Sequence, residues 1–167
     1  KNESMATQRH TGLVSNIFWR KAFSAVGLIL GLPLHGALVT IEQVSEPVGF
    51  LSKTTVVETG ASLTTEKVEL TKNGYFFSYW TKGGTRLADT AGRSLTQTTV
   101  EVEASFTLTA HYILQTEDSD EDGILDWFEY RNFGNLAGLV SSDPDGDGYS
   151  NGQEQALGQD PTISDLV

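Results

Sequence analysis

The sequence predicts a mainly β chain in three parts: a cleavable N-terminal signal helix (1–37), a small antiparallel β module (38–115) and a tandem loop–helix unit (116–167). Three observations carry this reading. A short apolar run follows a basic flank near the start, and period-two alternation with β-branched residues fills the middle. One acidic twelve-residue pattern then occurs twice near the end.

The N-terminal part contains the single methionine, Met5, where translation is expected to start. Arg9, His10, Arg20 and Lys21 precede an apolar run from Ala22 to Leu34, and the small residues Gly36 and Ala37 follow it. Basic flank, short apolar core and small residues are the order of a secretory signal peptide. A membrane-spanning helix needs about 20 apolar residues. This run is shorter and carries Pro33, so a cut near Gly36 or Ala37 is expected, with Leu34 or His35 an unusual occupant three residues before it. The competing reading is a buried core helix.

The middle alternates. Leu38–Ile41 opens it, and Thr54–Glu58 and Lys67–Thr71 read as strands bounded by turn residues. Asn73-Gly74 is a strong hairpin-turn pair, leading into Tyr75–Trp80 and then the Gly83-Gly84 turn. Thr98–Glu103 and Ser105–Ile113 alternate again, with Phe106, Leu108, Ala110 and Tyr112 on one face and Thr107, Thr109, His111 and Ile113 on the other. Phe77 and Trp80 have two readings, a core cluster or a carbohydrate-stacking platform.

The tail carries the chemistry. Its first repeat places Asp118, Asp120, Asp122 and Asp126 at positions 1, 3, 5 and 9, with Gly123 at 6 and Glu129 at 12. The second places Asp143, Asp145, Asp147 and Asn151 at the same positions, with Gly148 at 6 and Glu154 at 12. Both fit the calcium-loop template. Calcium takes six to eight hard oxygens at about 2.3–2.6 Å, so alternate carboxylates must curl around one point. Glycine at position 6 permits the turn, the carbonyls of Ile124 and Tyr149 at position 7 add main-chain oxygens, and the final glutamate closes the cage. Two Ca2+ sites are expected. A solvated acidic loop also favours Asp and Gly, but it does not account for Gly at 6 and Glu at 12 in both copies. Helices are expected over Leu125–Phe133, stopped at Gly134-Asn135, and over Asn151–Leu157, stopped at Gly158.

The totals exclude other chemistries. Net charge is −11 over 167 residues, which argues against nucleic acid or an anionic membrane surface as partner. From Glu117 onward there are thirteen acidic residues and one basic residue, Arg131, so the acidity belongs mainly to the ion-binding tail. With no cysteine there are no disulfides, thiolate metal sites or thiol nucleophiles. The three histidines, at 10, 35 and 111, lie apart. Carboxylates at i, i+2 and i+4 in turn sequence point at one ion rather than across a scissile sugar bond, as a glycosidase pair must. Magnesium fits less well, because it retains more water.

Two resemblances rest on these residues. Asp118-x-Asp-x-Asp-Gly-Ile-x-Asp-Trp, Phe133-Gly-Asn135 and Asp143-Pro-Asp-Gly-Asp-Gly-x-Ser-Asn151 resemble the dockerin-like and thrombospondin type 3-like calcium repeats of exported bacterial proteins. The likeness covers about forty-five residues and implies EF-hand-like loops that bind calcium. It departs from dockerins in the glutamate at position 12 and in the short loop spacing, which puts a cohesin partner in doubt. More loosely, Asn73-Gly74-Tyr75-x-Phe77-x-x-Trp80 and Thr109-Ala110-His111-Tyr112 resemble internalin-type B-repeats, which implies a spacer or adhesive β module without catalytic residues.

A strand rather than a helix precedes Asp118, so the unit lacks the entering helix with which sensor EF-hands open a groove. The expected function is therefore structural calcium binding in a non-catalytic spacer or surface-attachment region of a secreted or cell-surface protein, with no transmembrane span in the mature chain. Two alternatives stay open: an adhesion module whose β domain holds a glycan, a cell-surface polymer or a protein, and a non-catalytic fragment of a larger secreted enzyme.

Overall fold

The chain's first strand lies beside its last. In the computed structural model, which describes residues 36–165, β1 (Leu38–Glu46) sits between β2 (Ser52–Glu58) and β8 (Phe106–Leu114). The expected signal segment lies outside the described residues except for Gly36 and Ala37. β1 runs antiparallel to β2, from Leu38 opposite Glu58 to Val44 opposite Ser52. It runs parallel to β8, from Ile41 opposite Phe106 to Glu46 opposite His111. That parallel pair is a departure from the expected antiparallel module. Alternation along a strand is the same in either pairing, so only the long connection between the two strands decides their direction.

β5 (Tyr75–Lys82) pairs antiparallel with β8 on one edge. Its other edge takes β4 (Thr71–Lys72) and β6 (Thr85–Leu87). The β4–β5 turn places Asn73 at φ 52° and Gly74 at φ 83°, the two positive values that the expected Asn-Gly hairpin requires. A separate two-stranded ribbon joins β3 (Ser62–Thr64) to β7 (Thr99–Glu101). The expected strand Lys67–Thr71 is not formed, since only Thr71 is in a strand. Side chains hold this stretch instead: the Glu66 amide donates to the Gln43 Oε1 at 2.7 Å, and Val68 is buried in the core.

One face of the sheet packs on the ribbon. Ile41, Phe77, Trp80, Leu108, Ala110 and Tyr112 form this core with Val68, Val100 and Val102. Phe77 and Trp80 are wholly buried, which settles their two readings in favour of the core. Gln43 and Ser45 share the buried face of β1 with Ile41 and are tolerated because they are bonded. Ser45 Oγ accepts from the Phe50 and Leu51 amides at 2.9 and 3.0 Å.

The other face receives the tail. Helix α1 (Asp126–Asn132) lies against β5 and β8, and Trp127 stacks on Phe76 with ring centroids 4.0 Å apart. Ile113, Ile124, Leu125, Phe128 and Phe133 complete this second cluster. Arg86 on β6 pins the far end of the helix. Its guanidinium donates to Tyr130 O at 2.9 Å, Gly92 O at 2.8 Å and Ser94 Oγ at 2.7 Å. A cation at helix-end carbonyls is also favoured by the helix dipole. The described residues thus belong to one compact unit.

Helix α2 (Asn151–Leu157) starts at a capping box, with the Ser150 amide donating to Gln153 Oε1, and stops at Gly158 in the left-handed conformation. Its limits match the expectation, and α1 is one residue shorter at each end than expected. Among the described residues no helix is long and apolar enough to cross a membrane.

Replacing Arg86 with Ala should cost about 2–3 kcal/mol, the loss of hydrogen bonds made by a charged donor. A lowered urea midpoint at unchanged slope is the expected outcome. Arg86→Lys should recover only part of it, because an ammonium cannot reproduce the guanidinium fork.

Candidate metal centre

The two acidic repeats fold into two loops with the same backbone. In each, the residue at position 4 has positive φ (Glu121 at 59°, Gly146 at 75°), and so does the glycine at position 6 (Gly123 at 93°, Gly148 at 94°). The hydrogen bonds repeat as well. The position-6 amide donates to Oδ2 of position 1, at 3.1 Å for Gly123 to Asp118 and 2.9 Å for Gly148 to Asp143. The position-7 amide donates to Oδ1 of position 5, at 2.8 Å for Ile124 to Asp122 and 2.9 Å for Tyr149 to Asp147. The position-9 amide closes each loop onto the carbonyl just before it, Asp126 to Glu117 and Asn151 to Ser142.

This backbone gathers the carboxylates. Asp118, Asp120 and Asp122 each offer an oxygen within 4.8 Å of the others, and so do Asp143, Asp145 and Asp147. Like charges about 5 Å apart repel by roughly 3 kcal/mol per pair at an effective dielectric of about 20. Part of that cost is offset by the loop amides. Backbone donors, Gly148 first, hold the Asp143 carboxyl below its usual pKa. The Asp145 carboxyl is pushed up, by burial first and then by Asp147 and Asp143.

The glutamates at position 12 stand apart from the aspartates because both are wholly buried. Glu129 Oε1 accepts from the Gly138 amide at 2.8 Å, while its Oε2 has no partner among the described residues. Neither oxygen of Glu154 has one. Burial pushes both carboxyls up to about 7, with added repulsion from Asp120, Asp122 and Asp126 on Glu129 and from Asp145, Asp147, Asp165 and Asp143 on Glu154. A buried carboxylate with free lone pairs is costly unless something positive or a donor meets it. One oxygen of Asp118, one of Asp145 and the Oδ1 of buried Asn151 are orphaned in the same way. The oxygen-only donor set, curled in a turn with orphaned atoms, fits a hard divalent cation such as calcium.

The loops differ at position 9. Asp126 is buried and both its oxygens are taken by Ser119, from the amide at 2.7 Å and the hydroxyl at 2.6 Å. Asn151 instead donates through Nδ2 to Leu139 O at 2.9 Å and leaves Oδ1 free. At position 7, the Ile124 side chain is buried in the second cluster and the Tyr149 side chain is exposed, so only their carbonyls are candidate ligands.

Sequence reasoning missed three contributors: Ser119, Gly138 and Gln155. Gln155 Oε1 accepts from the Leu125 amide of the first loop at 2.7 Å. Nothing in the repeat pattern marks these residues, since their roles depend on how the loops pack.

Two outcomes follow from this geometry. Glu121 carries a left-handed backbone that costs a non-glycine residue about 1–2 kcal/mol. Glu121→Gly, which copies Gly146, should raise the melting temperature. In a metal chelator, the two buried glutamates bind protons in the folded state at pH values where the unfolded chain, with its usual 4.5, has released them. Their contribution to stability is present below about pH 4.5 and is lost as pH rises through about 7. His111, held below its usual 6.5 chiefly by burial, acts in the opposite sense as one group against two. Urea midpoints in chelator should therefore fall between about pH 5 and 7.5, and Glu129→Gln with Glu154→Gln should flatten that fall.

Comparison with protein-family models, with curated proteins and with solved structures finds no match for this chain.

Proposed function

We propose that the chain binds two calcium ions, one in each acidic loop, and that their role is structural. The observation that carries this reading is the pair of wholly buried glutamates, Glu129 and Glu154, with orphaned oxygens beside the two aspartate triads. Asp118, Asp120, Asp122, Glu129 and the Ile124 carbonyl would hold the first ion, with Asp126 oriented by Ser119. Asp143, Asp145, Asp147, Asn151, Glu154 and the Tyr149 carbonyl would hold the second. Bound calcium supplies the positive charge that cancels carboxylate repulsion. The protein's own residues do the rest: loop amides orient the aspartates, and each position-12 glutamate ties its loop to the helix that follows.

The first loop leads directly into α1, and α1 covers the outer face of the sheet. Ion binding there therefore steadies the β module as well as the tail. A site with a dissociation constant a hundredfold below the ambient calcium adds about 2.7 kcal/mol to folding. Extracellular calcium is millimolar, so the reading goes with a secreted or cell-surface protein in which the region acts as an ordered spacer or attachment unit, related to dockerin-like and thrombospondin type 3-like repeats. We assign the carboxylates no catalytic role, because Asp118, Asp122, Asp143, Asp145 and Asp147 accept from their own turn amides and each triad is ranged around one point. For the adhesion alternative, Trp80 and Phe77 offer no stacking platform, since both lie in the core.

Calorimetric titration of the full chain with calcium tests the proposal. Two ions are expected, one of them lost in Asp118→Ala and the other in Asp143→Ala, with a melting temperature that falls in chelator. A wild-type chain that takes up no ion at millimolar calcium would falsify the reading, and the loops would then be solvated linkers.

A further inference from the structure

We infer that the two loops bind their cations cooperatively and that Gln155 is the positioning residue that couples them. The inference rests on the two-cation reading above and goes beyond it to how the sites communicate. Gln155 directly follows Glu154, the residue that closes the second loop, yet its side chain serves the first loop. Its Oε1 accepts from the Leu125 amide at 2.7 Å, and its Nε2 reaches Gly123 O at 3.4 Å. These two main-chain groups flank Ile124, whose carbonyl is a candidate ligand. Leu125 also caps α1 at its N-terminus, where no side chain of its own does so. A move of Glu154 toward or away from an ion thus carries the neighbouring Gln155 with it, since the two are consecutive residues of α2.

A second connection lies between the same two loops. Gly138 donates to Glu129 of the first loop, while its neighbour Leu139 accepts from Asn151 of the second, and Val140 O accepts from the Gly152 amide at 3.0 Å. One peptide segment is therefore bonded at one end to a candidate ligand of the first site and at the other to a candidate ligand of the second. The strap consists of main-chain groups and holds the loops adjacent. Gln155 is the side-chain contact that can be removed without touching a ligand. When either loop closes on its ion, the ordering cost of the shared contacts is already met for the other, which is positive coupling, and by linkage it is equal in both directions.

The test is a double-mutant cycle on the full chain, read by calorimetry with calcium. Asp143→Ala disables the second site, and Gln155→Met removes the bridge while keeping the side chain's length. With Gln155 present, disabling the second site should weaken the first about tenfold, within the usual range of coupling between sites. In the Gln155→Met background the chain should still bind two ions, and the same change should weaken the first site less than about threefold, a residual carried by the strap. An equal loss in both backgrounds overturns the role of Gln155 and leaves the two sites standing. A wild-type chain that binds no calcium removes both readings. Near-ultraviolet circular dichroism of each variant in calcium should match the parent, so that a change in coupling is separated from a change in fold.

Discussion

Two buried carboxylates with unmatched oxygens set the terms for the second half of this protein. Glu129 and Glu154 are both wholly buried, and between them only Oε1 of Glu129 accepts a hydrogen bond among the described residues. A folded chain cannot hold two such groups ionised without a positive partner, and their pKa values of about 7 express that conflict. Three carboxylates of the preceding loop stand beside each glutamate and raise its cost further. Core glutamates placed for packing alone would be replaceable by leucine. These sit at the last position of two loops that share their turn and the hydrogen bonds from positions 6, 7 and 9, so their burial belongs to the loops' design. The cation proposed for the first loop would resolve the conflict at Asp118, Asp120, Asp122 and Glu129 together.

The β module depends on the same constraint at one remove. Its inner face is closed by its own ribbon, through Val100 and the segment carrying Val68. Its outer face is not self-sufficient. Phe76 and Ile113 would be bare without α1, and that helix has only seven residues. So short a helix is unstable alone, since nucleation fixes several residues for few hydrogen bonds. Trp127 on Phe76, Arg86 at the Tyr130 carbonyl, the Ser94 amide at the Arg131 carbonyl and the first acidic loop at its start all hold it. Of these, the loop is the one that the proposed cation would strengthen. Sheet, helix and loop are thus links in one chain of dependence.

Much of this was legible in the sequence, for a physical reason. The loops are local objects: glycine at position 6 and carboxylates at alternate positions fix a turn whatever surrounds it, and α2 begins and ends where Ser150 and Gly158 mark it. The faces of β8 were also readable, because burial of Leu108, Ala110 and Tyr112 follows directly from alternation. The parallel partnership of β1 with β8 was not readable, since residues some sixty positions apart leave no mark on each other's pattern. The Lys67–Thr71 stretch misled because Val68 and Leu70 alternate with charged residues as a strand would. The site shows the same division. The residues of its acidic repeats were visible, whereas Ser119, Gly138 and Gln155 depend on packing between segments.

The two loops, alike in backbone, are unlike in how far the protein satisfies them. In the first, Ser119 occupies both oxygens of Asp126, and Gly138 occupies one oxygen of Glu129. In the second, position 2 is Pro144, which has no amide to offer, Asn151 Oδ1 is free, and Glu154 has no partner at either oxygen. The second loop bonds its aspartate triad more fully, since the Gly146 amide also donates to Asp143 Oδ1 and the Asp147 amide to Asp145 Oδ1, so its deficit lies at the closing glutamate, where two oxygens are orphaned against one in the first loop. That asymmetry gives the bridge from Gln155 its sense. The loop whose closing glutamate is left with both oxygens orphaned runs into the helix whose side chain braces the other, and the braced loop is the one that leads into the helix on the sheet's outer face.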